Sequence, residues 1–304
     1  MKSTDGPNNL SSSEYICYME SLQEKIFANG DLQDFFLNFH GFAKISGEHN
    51  GAKSTYLQLV RDAINSIEMI KDGYKSGRKI LEIGGGVGFC YLWLKKQGMN
   101  ITSIEPSQFG GNNYEVGLKI MKIAGVDSSG WLSFSADEVG KLGQSYDFIF
   151  SNNVLEHIDN LEESLQALCE VMSSGGSMTH TCPNYLVPYE PHFGILLVPF
   201  FPKFSEIFNR SLKVDPLWRT LNFITSTKIK KFAEKNKLKL SYDKNELLKT
   251  LERLSVEKNF RKKHLLASLI YKALFWLKIT SVINLVPPSF ATPMKFSLKE
   301  QTAK

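Results

Sequence analysis

The sequence predicts an α/β fold: a doubly wound, mostly parallel sheet with a helical N-terminal cap and a C-terminal helical insertion. Three observations predict it. From Arg78 onward, short apolar runs alternate with segments of helical spacing. A glycine cluster stands directly between the first such run and its helix. Finally, 304 residues, 42% hydrophobic and 22% charged, suffice to bury a full core with chain left over for an insertion.

Residues 1–13, MKSTDGPNNLSSS, are polar, lack the apolar stretch of a secretion signal and are expected to form a disordered lead. Residues 14–29 and 53–71 carry helix-like apolar spacing, so residues 14–77 are expected to be an N-terminal helical cap. KILEI, YLWLKKQG, NITSIEP, EVGLKIMKIAG, WLSFSAD, YDFIFSNN, DNLEESLQALCEVMSSGG and SMTHTC then follow in the order β-α-β-α-β-β-α-β, which makes residues 78–183 the core. Asp159 and Glu162 stand at capping-box spacing at the start of the last helix, and Gly175 and Gly176 supply its stop. After Cys182 the string PNYLVPYEPHFGILLVPFFP holds five prolines and too many apolar groups for an idle linker. Residues 184–226 are therefore read as a lid insertion folded over a pocket. Helical spacing at 227–235, 246–257 and 265–277, a strand at 237–242 and a PMKFSLKE that alternates like an exposed-edge strand make residues 227–304 the remainder of the core with a basic amphipathic helical insertion.

Composition narrows the class of protein. A mean hydropathy of -0.18 with ordinary glycine and proline counts excludes collagen-like and wholly disordered chains. Four cysteines, Cys17, Cys90, Cys169 and Cys182, lie far apart without a CxxC pair, which points away from a disulfide framework or a zinc knuckle and toward the cytoplasm. The net charge of +5 is divided unevenly, -9 over residues 1–202 and +14 over residues 203–304. A basic third on an acidic body favours an anionic partner, with a solvated basic face as the alternative.

The strongest motif is Leu81-Glu82-Ile83-Gly84-Gly85-Gly86-Val87-Gly88, an ExGxGxG pattern after a strand and before a helix. In an open parallel sheet the ligand crevice lies beyond the carboxyl ends of the strands, where glycines let a cofactor approach the backbone. A dinucleotide GxGxxG would need glycine at Phe89, which counts against NAD and FAD. Glu105 ends the next strand, where a carboxylate can accept hydrogen bonds from both hydroxyls of a ribose.

The run ILEIGGGVGFCYLWLKKQGMNITSIEPS resembles motif I and its successor in the class I S-adenosylmethionine-dependent methyltransferases, and YDFIFSNNVLEHI resembles their fourth-strand motif. The resemblance covers residues 78–183. It implies a seven-stranded Rossmann-like sheet whose last strand, PMKFSLKE here, is antiparallel beside the fifth. It also implies S-adenosyl-L-methionine as cofactor, with Glu82 and the loop of Gly84, Gly86 and Gly88 at the methionine end and Glu105 on the ribose. Ala136, Asp137 and Glu138 would lie near the adenine, and Asn152 and Asn153 would line the methionine and sulfonium region. Asp137 and Glu138 as caps of the following turn, Asn153 as a turn former, and Phe89 and Tyr91 as core residues in place of a cation-π contact with the sulfonium are the alternatives.

Methyl transfer is an in-line displacement, so alignment and exclusion of water dominate, and a base is needed only for a weakly acidic acceptor. His157 follows the fourth strand, while His192 and Glu190 lie in the lid, and these three are the catalytic candidates. The segment at His157 is similar to that of ubiquinone-pathway O-methyltransferases, where ExxEH can hold a divalent ion. Asn153 replaces the first Glu here, and Glu156 with His157 alone make a poor closed site, so no metal is expected. Arg261-Lys262-Lys263 abuts the apolar LLASLIYKALFWLK, interrupted by Lys272 and Lys278, an arrangement suited to an anionic membrane surface, to covering the sheet or to a dimer interface.

The expected function is S-adenosylmethionine-dependent O-methylation of a small-molecule, saccharide or lipid-linked acceptor, in the cytoplasm or peripherally at the inner membrane face. An RNA methyltransferase is the second reading, opposed by the lack of a recognisable RNA-binding module. A noncatalytic binding protein with the same fold is the third.

Overall fold

The computed structural model describes residues 10–39, 51–74, 77–107, 112–278 and 280–301. Residues 1–9 of the expected lead lie outside the described residues. Its last residues are ordered: Leu10 is buried, and Ser11 accepts from the Glu14 N–H to cap the helix that begins at Ser12.

Seven strands form one sheet. They are β1 (Ile80–Ile83), β2 (Ile101–Ile104), β3 (Trp131–Leu132), β4 (Tyr146–Asn152), β5 (Met172–Cys182), β8 (Leu238–Tyr242) and β9 (Met294–Glu300). A separate two-stranded hairpin consists of β6 (Tyr189–Glu190) and β7 (Ile195–Leu196). The sheet order is β3-β2-β1-β4-β5-β9-β8, with β1 parallel to both β2 and β4, β2 parallel to β3, and β9 antiparallel to β8. The chain starts in the middle at β1, steps outward to β3 and then returns to β4. That reversal between β1 and β4 is the switch point at which such sheets bind ligands. The expected seven-stranded, mostly parallel sheet with β9 beside β5 is thus observed.

The chain divides into two compact units. The first contains helices α1 (Ser12–Phe27), α2 (Gly30–Asn38), α3 (Ala52–Gly73), α4 (Phe89–Lys96) and α5 (Asn113–Ala124), most of α6 (Leu161–Glu170), β1 to β4, and β5 as far as Thr179. All four residues of β1 and of β2 are buried, as continuous apolar runs covered on both faces must be. Helices α1 to α3 are amphipathic and meet in an aromatic cluster: Tyr56 lies edge-on to Phe27, Phe36 and Phe89, and its hydroxyl donates to the Met19 carbonyl at 2.6 Å. Phe89 and Tyr91 are therefore core residues.

The helix before β5 differs from expectation at both ends. It begins at Leu161 rather than at the Asp159–Glu162 box, and it ends at Glu170, so Gly175 and Gly176 do not stop it. Both glycines lie inside β5. Gly175 takes φ +72°, and a Cβ on Gly176 would stand 2.7 Å from the Ser173 carbonyl oxygen, so strand geometry rather than a helix end requires them.

The second unit comprises residues 153–161 and the chain from His180 onward. After the β6–β7 hairpin come two single-turn helices, α7 (Ser205–Phe208) and α8 (Pro216–Arg219), then α9 (Ser226–Lys235), α10 (Glu246–Val256), α11 (Lys258–Lys263) and α12 (Leu265–Trp276). Buried Asn184 closes the ends of the expected lid. Its Oδ1 accepts from the Leu186 and Ser226 N–H groups, and its Nδ2 donates to the Ser289 and Ala291 carbonyls. Of α12 only Ser268 is buried, whereas Leu265, Leu269, Ile270, Phe275 and Trp276 are each more than half exposed.

Candidate active site

In the first unit the glycine loop follows β1, and each glycine of the sequence pattern sits at positive φ: Gly84 at 69°, Gly86 at 59° and Gly88 at 81°. That conformation is open to glycine at little cost, which is why the motif repeats at every second position. The N–H groups of Gly84 and Gly85 donate to the Ile104 carbonyl, tethering the loop to the end of β2. Gly85 is required for a different reason, since a Cβ there would overlap Ser103 Oγ and the Trp131 ring. At Gly86 a Cβ would meet nothing within 4 Å. Gly88 is the N-cap of α4 and gives its first turn no side-chain cap, the setting in which backbone N–H groups and the helix dipole favour an anionic group.

Two buried carboxylates frame this loop. Glu82 accepts from the Ser103 hydroxyl at 2.7 Å, and burial pushes it up to about 7 against the opposing hydrogen bonds from Ser103 and Cys90. Glu105 accepts from the Gly86 N–H at 3.0 Å on Oε2 and from Asn113 Nδ2 at 3.1 Å on Oε1. Burial raises it to about 7 as well, and the same two donors oppose the rise. Asn113, in the first turn of α5, and Ser103, inside β2, escaped sequence reasoning, because neither belongs to a spaced pattern. Ala136 is buried at the start of a 3-10 helix over Ala136–Leu142, and Asp137 is exposed on it. Glu138 reaches back to the Ser135 N–H and hydroxyl, so it acts as a cap. Asn152 ends β4 with its Nδ2 donating to the Asp62 carbonyl at 3.3 Å.

Asn153, exposed at φ 54°, belongs to the second unit and occupies the left-handed region that asparagine tolerates. The turn that follows it carries Glu156 and His157. Asn222 clamps it, with Nδ2 donating to the Leu155 carbonyl at 2.6 Å and to the Ile158 carbonyl at 2.8 Å. The hairpin turn between β6 and β7 supplies His192, and β6 supplies Glu190. His157, His192 and Glu190, separated by up to 35 positions in the chain, are therefore gathered in one cluster with Glu156.

Each member of this cluster is oriented. Glu190 Oε1 accepts from the Tyr185 hydroxyl at 3.0 Å and lies 2.6 Å from His192 Nδ1, while Oε2 accepts from the Phe193 N–H. Burial alone would raise Glu190, but the hydrogen bond and charge of His192 outweigh it and hold the carboxyl below its ordinary value. His192 responds in the opposite sense: burial lowers it and Glu190 more than compensates. The Thr220 hydroxyl donates to the Leu217 carbonyl, so His157 Nδ1, 2.8 Å from that oxygen, is the donor and Nε2 carries the lone pair. Burial and the neighbouring His192 hold His157 below the usual imidazole range. Glu156 is fully buried, is pushed up to about 7 by burial against the opposing charge of His192 and its own backbone N–H, and accepts a hydrogen bond from no other residue.

Comparison with known proteins adds family information. Two uncharacterised proteins of Mycobacterium tuberculosis, from strains CDC 1551 / Oshkosh and ATCC 25618 / H37Rv, are 36% identical over 197 residues, 60% of this chain and 65% of each relative. The chain therefore spans 65% of the length of these curated relatives. A ubiquinone biosynthesis O-methyltransferase of Rhizobium leguminosarum bv. trifolii is 25% identical over 100 residues, 33% of this chain and 38% of that protein. Among solved structures, phosphoethanolamine N-methyltransferase 2 of Haemonchus contortus, in complex with S-adenosyl-L-methionine, aligns with a TM-score of 0.44 and 17% identity over 79% of this chain and 53% of that one. The model of the methyltransferase domain matches residues 56–236, a span that runs from α3 past α9 and takes in the glycine loop, Glu105 and the histidine cluster. With more than half of its length so matched, the chain belongs to the methyltransferase domain family.

Proposed function

We propose that the protein transfers a methyl group from S-adenosyl-L-methionine to an oxygen of a small-molecule, saccharide or lipid-linked acceptor. The glycine loop with Glu105 carries this reading. A carboxylate offers about four lone-pair sites. Gly86 and Asn113 occupy one on each oxygen of Glu105, which leaves room for two ribose hydroxyls. The backbone at Gly86 has no neighbour where a Cβ would stand, so a ligand can lie against it. In this reading Glu82, Gly84, Gly86 and Gly88 hold the methionine end, Asn152 and Asn153 line the methionine and sulfonium region, and Ala136 and Asp137 border the adenine. The cofactor supplies a methyl carbon activated by positive sulfur. Residues 78–183 form its site and residues 184–226 the acceptor lid, in which Glu190 and His192 join His157 to orient the acceptor and take its proton. Similarity to a ubiquinone biosynthesis O-methyltransferase supports an oxygen acceptor.

Calorimetric titration of the purified protein with S-adenosylmethionine and S-adenosylhomocysteine tests the reading. Micromolar binding is expected, and none by folded protein refutes it. Ionised Glu105 is the form that accepts two hydroxyls. With its carboxyl raised to about 7, affinity should rise with pH and be about tenfold weaker at pH 6 than at pH 8. A pH-independent affinity would remove Glu105 from the contact.

The basic, apolar α12 region supports peripheral attachment to an anionic membrane face. Arg261, Lys262 and Lys263 directly precede a helix whose large apolar side chains are exposed, and among the described residues no helix is long and apolar enough to cross a membrane. Sedimentation with phosphatidylglycerol vesicles, but not with phosphatidylcholine vesicles, is expected, and Trp276→Ser with Leu269→Glu should abolish it. Equal recovery with both lipids would remove the anionic component.

A further inference from the structure

We propose that Glu156 Oε1, His157 Nε2 and His192 Nε2 bind a divalent transition-metal ion of the zinc type. The ligand atoms all lie within 4.8 Å of one another, with His157 Nε2 at 3.9 Å and His192 Nε2 at 3.8 Å from Glu156 Oε1. Those separations exceed hydrogen-bond reach. Donors around a tetrahedral zinc ion, with bonds of about 2.0–2.2 Å, stand about 3.4 Å apart, so the two glutamate–histidine pairs close on an ion by about half an ångström each and the histidine–histidine pair by about 1.4 Å at most.

Two features separate this cluster from an ordinary ion-pair network. Glu156 is fully buried, and no other residue hydrogen-bonds to either of its oxygens. A buried carboxylate left so is costly unless a cation completes it. Both imidazoles are also held through their far nitrogens, His157 Nδ1 at the Thr220 hydroxyl and His192 Nδ1 at Glu190. Metal-ligating histidines are oriented in this way, with an outer acceptor fixing the tautomer that directs Nε2 at the ion. Asn222, clamping the Glu156–His157 turn, and the β6–β7 hairpin, presenting His192, bring the three ligands together from segments that spacing could not link.

Two imidazoles and one carboxylate suit zinc, cobalt, nickel or ferrous iron and disfavour magnesium and calcium, which take oxygen ligands. Three protein ligands leave a further coordination position. On the methyl-transfer reading above, an acceptor hydroxyl bound there would give up its proton to solvent water more readily, and His157 and His192 would serve as ligands in place of the proton-taking role that reading gives them without a metal. Metal binding itself does not depend on that reading.

The test is titration of chelator-treated full-length protein with Co2+, followed by its visible absorption and then by displacement with Zn2+. One ion per chain is expected, with the intense bands of a four- or five-coordinate site and no competition from millimolar Mg2+. His192→Ala and Glu156→Gln should each weaken binding by about 100-fold or more, and Thr220→Val, which leaves all three ligands in place, by about 10-fold. Circular dichroism and S-adenosylmethionine affinity establish that each variant is folded. No cobalt spectrum from folded wild-type protein, or unchanged affinity in His192→Ala, overturns the proposal. Cobalt binding without S-adenosylmethionine binding would remove the cofactor reading and leave the metal site standing.

Discussion

Replacing Glu105 with alanine is expected to weaken S-adenosylmethionine binding by about 100-fold or more, equivalent to about 2.7 kcal/mol. A hydrogen bond to a charged group contributes about 1.5–3 kcal/mol, and a ribose offers two hydroxyls to this carboxylate. The variant also frees the Gly86 N–H and Asn113 Nδ2 from their present acceptor, so the loop loses part of its preorganisation. Glu105→Gln retains one acceptor oxygen and should fall between the two. Gly86→Arg reaches the same end by another route. Its φ of 59° makes any L-residue cost about 1–2 kcal/mol, yet its Cβ has room, so the chain should fold while the long side chain takes the cofactor's space. Calorimetry on both variants, with thermal melts as the folding control, separates lost binding from lost fold. Wild-type affinity in both would leave the loop without its assigned ligand.

The parts of this site that were legible in the sequence are those whose chemistry is local. Positive φ at Gly84, Gly86 and Gly88 leaves its mark in the residue type at every second position, and the end of β2 places Glu105 a fixed distance along the chain. Strand-like patterning likewise marks β8 and β9, although β9 lies inside the sheet between β5 and β8 and is largely buried, not at the exposed edge that its alternation suggests. Signals shared by two conformations were misleading. Gly175 and Gly176 follow a helix closely enough to look like its stop, but the chain needs them inside β5, one for its backbone angle and the other for its close approach to a carbonyl. Long-range assembly left no trace at all. His192 joins Glu156 and His157 only because a hairpin and the Asn222 clamp fold them together, and Ser103 and Asn113 meet their carboxylates only across the β1–β2–α5 layer.

Asn184→Ala is expected to destabilise the second unit by about 3–4 kcal/mol. The side chain is completely buried and uses all of its usual hydrogen-bonding capacity: two donors to the Ser289 and Ala291 carbonyls, and two lone pairs for the Leu186 and Ser226 N–H groups. Alanine leaves four backbone groups without that partner, at about 1–3 kcal/mol for each that stays dry, and water entering the space recovers part of the loss. Asn184→Asp keeps the two lone pairs but directs a carboxylate at two carbonyl oxygens, so it should be no better tolerated. A chain with two compact units need not unfold in one step, and the readout is therefore amide exchange at Leu186 and Ser226 rather than a single melting temperature. Faster exchange at both amides, with protection in β1 and β4 unchanged, is the expected result. Unaltered exchange at Ser226 would mean that the closure of residues 184–226 does not depend on Asn184. The functional consequence follows from position: the β6–β7 hairpin that carries Glu190 and His192 lies between the two ends that Asn184 joins, so loosening them should blunt Co2+ affinity even though Asn184 lies outside the ligand set.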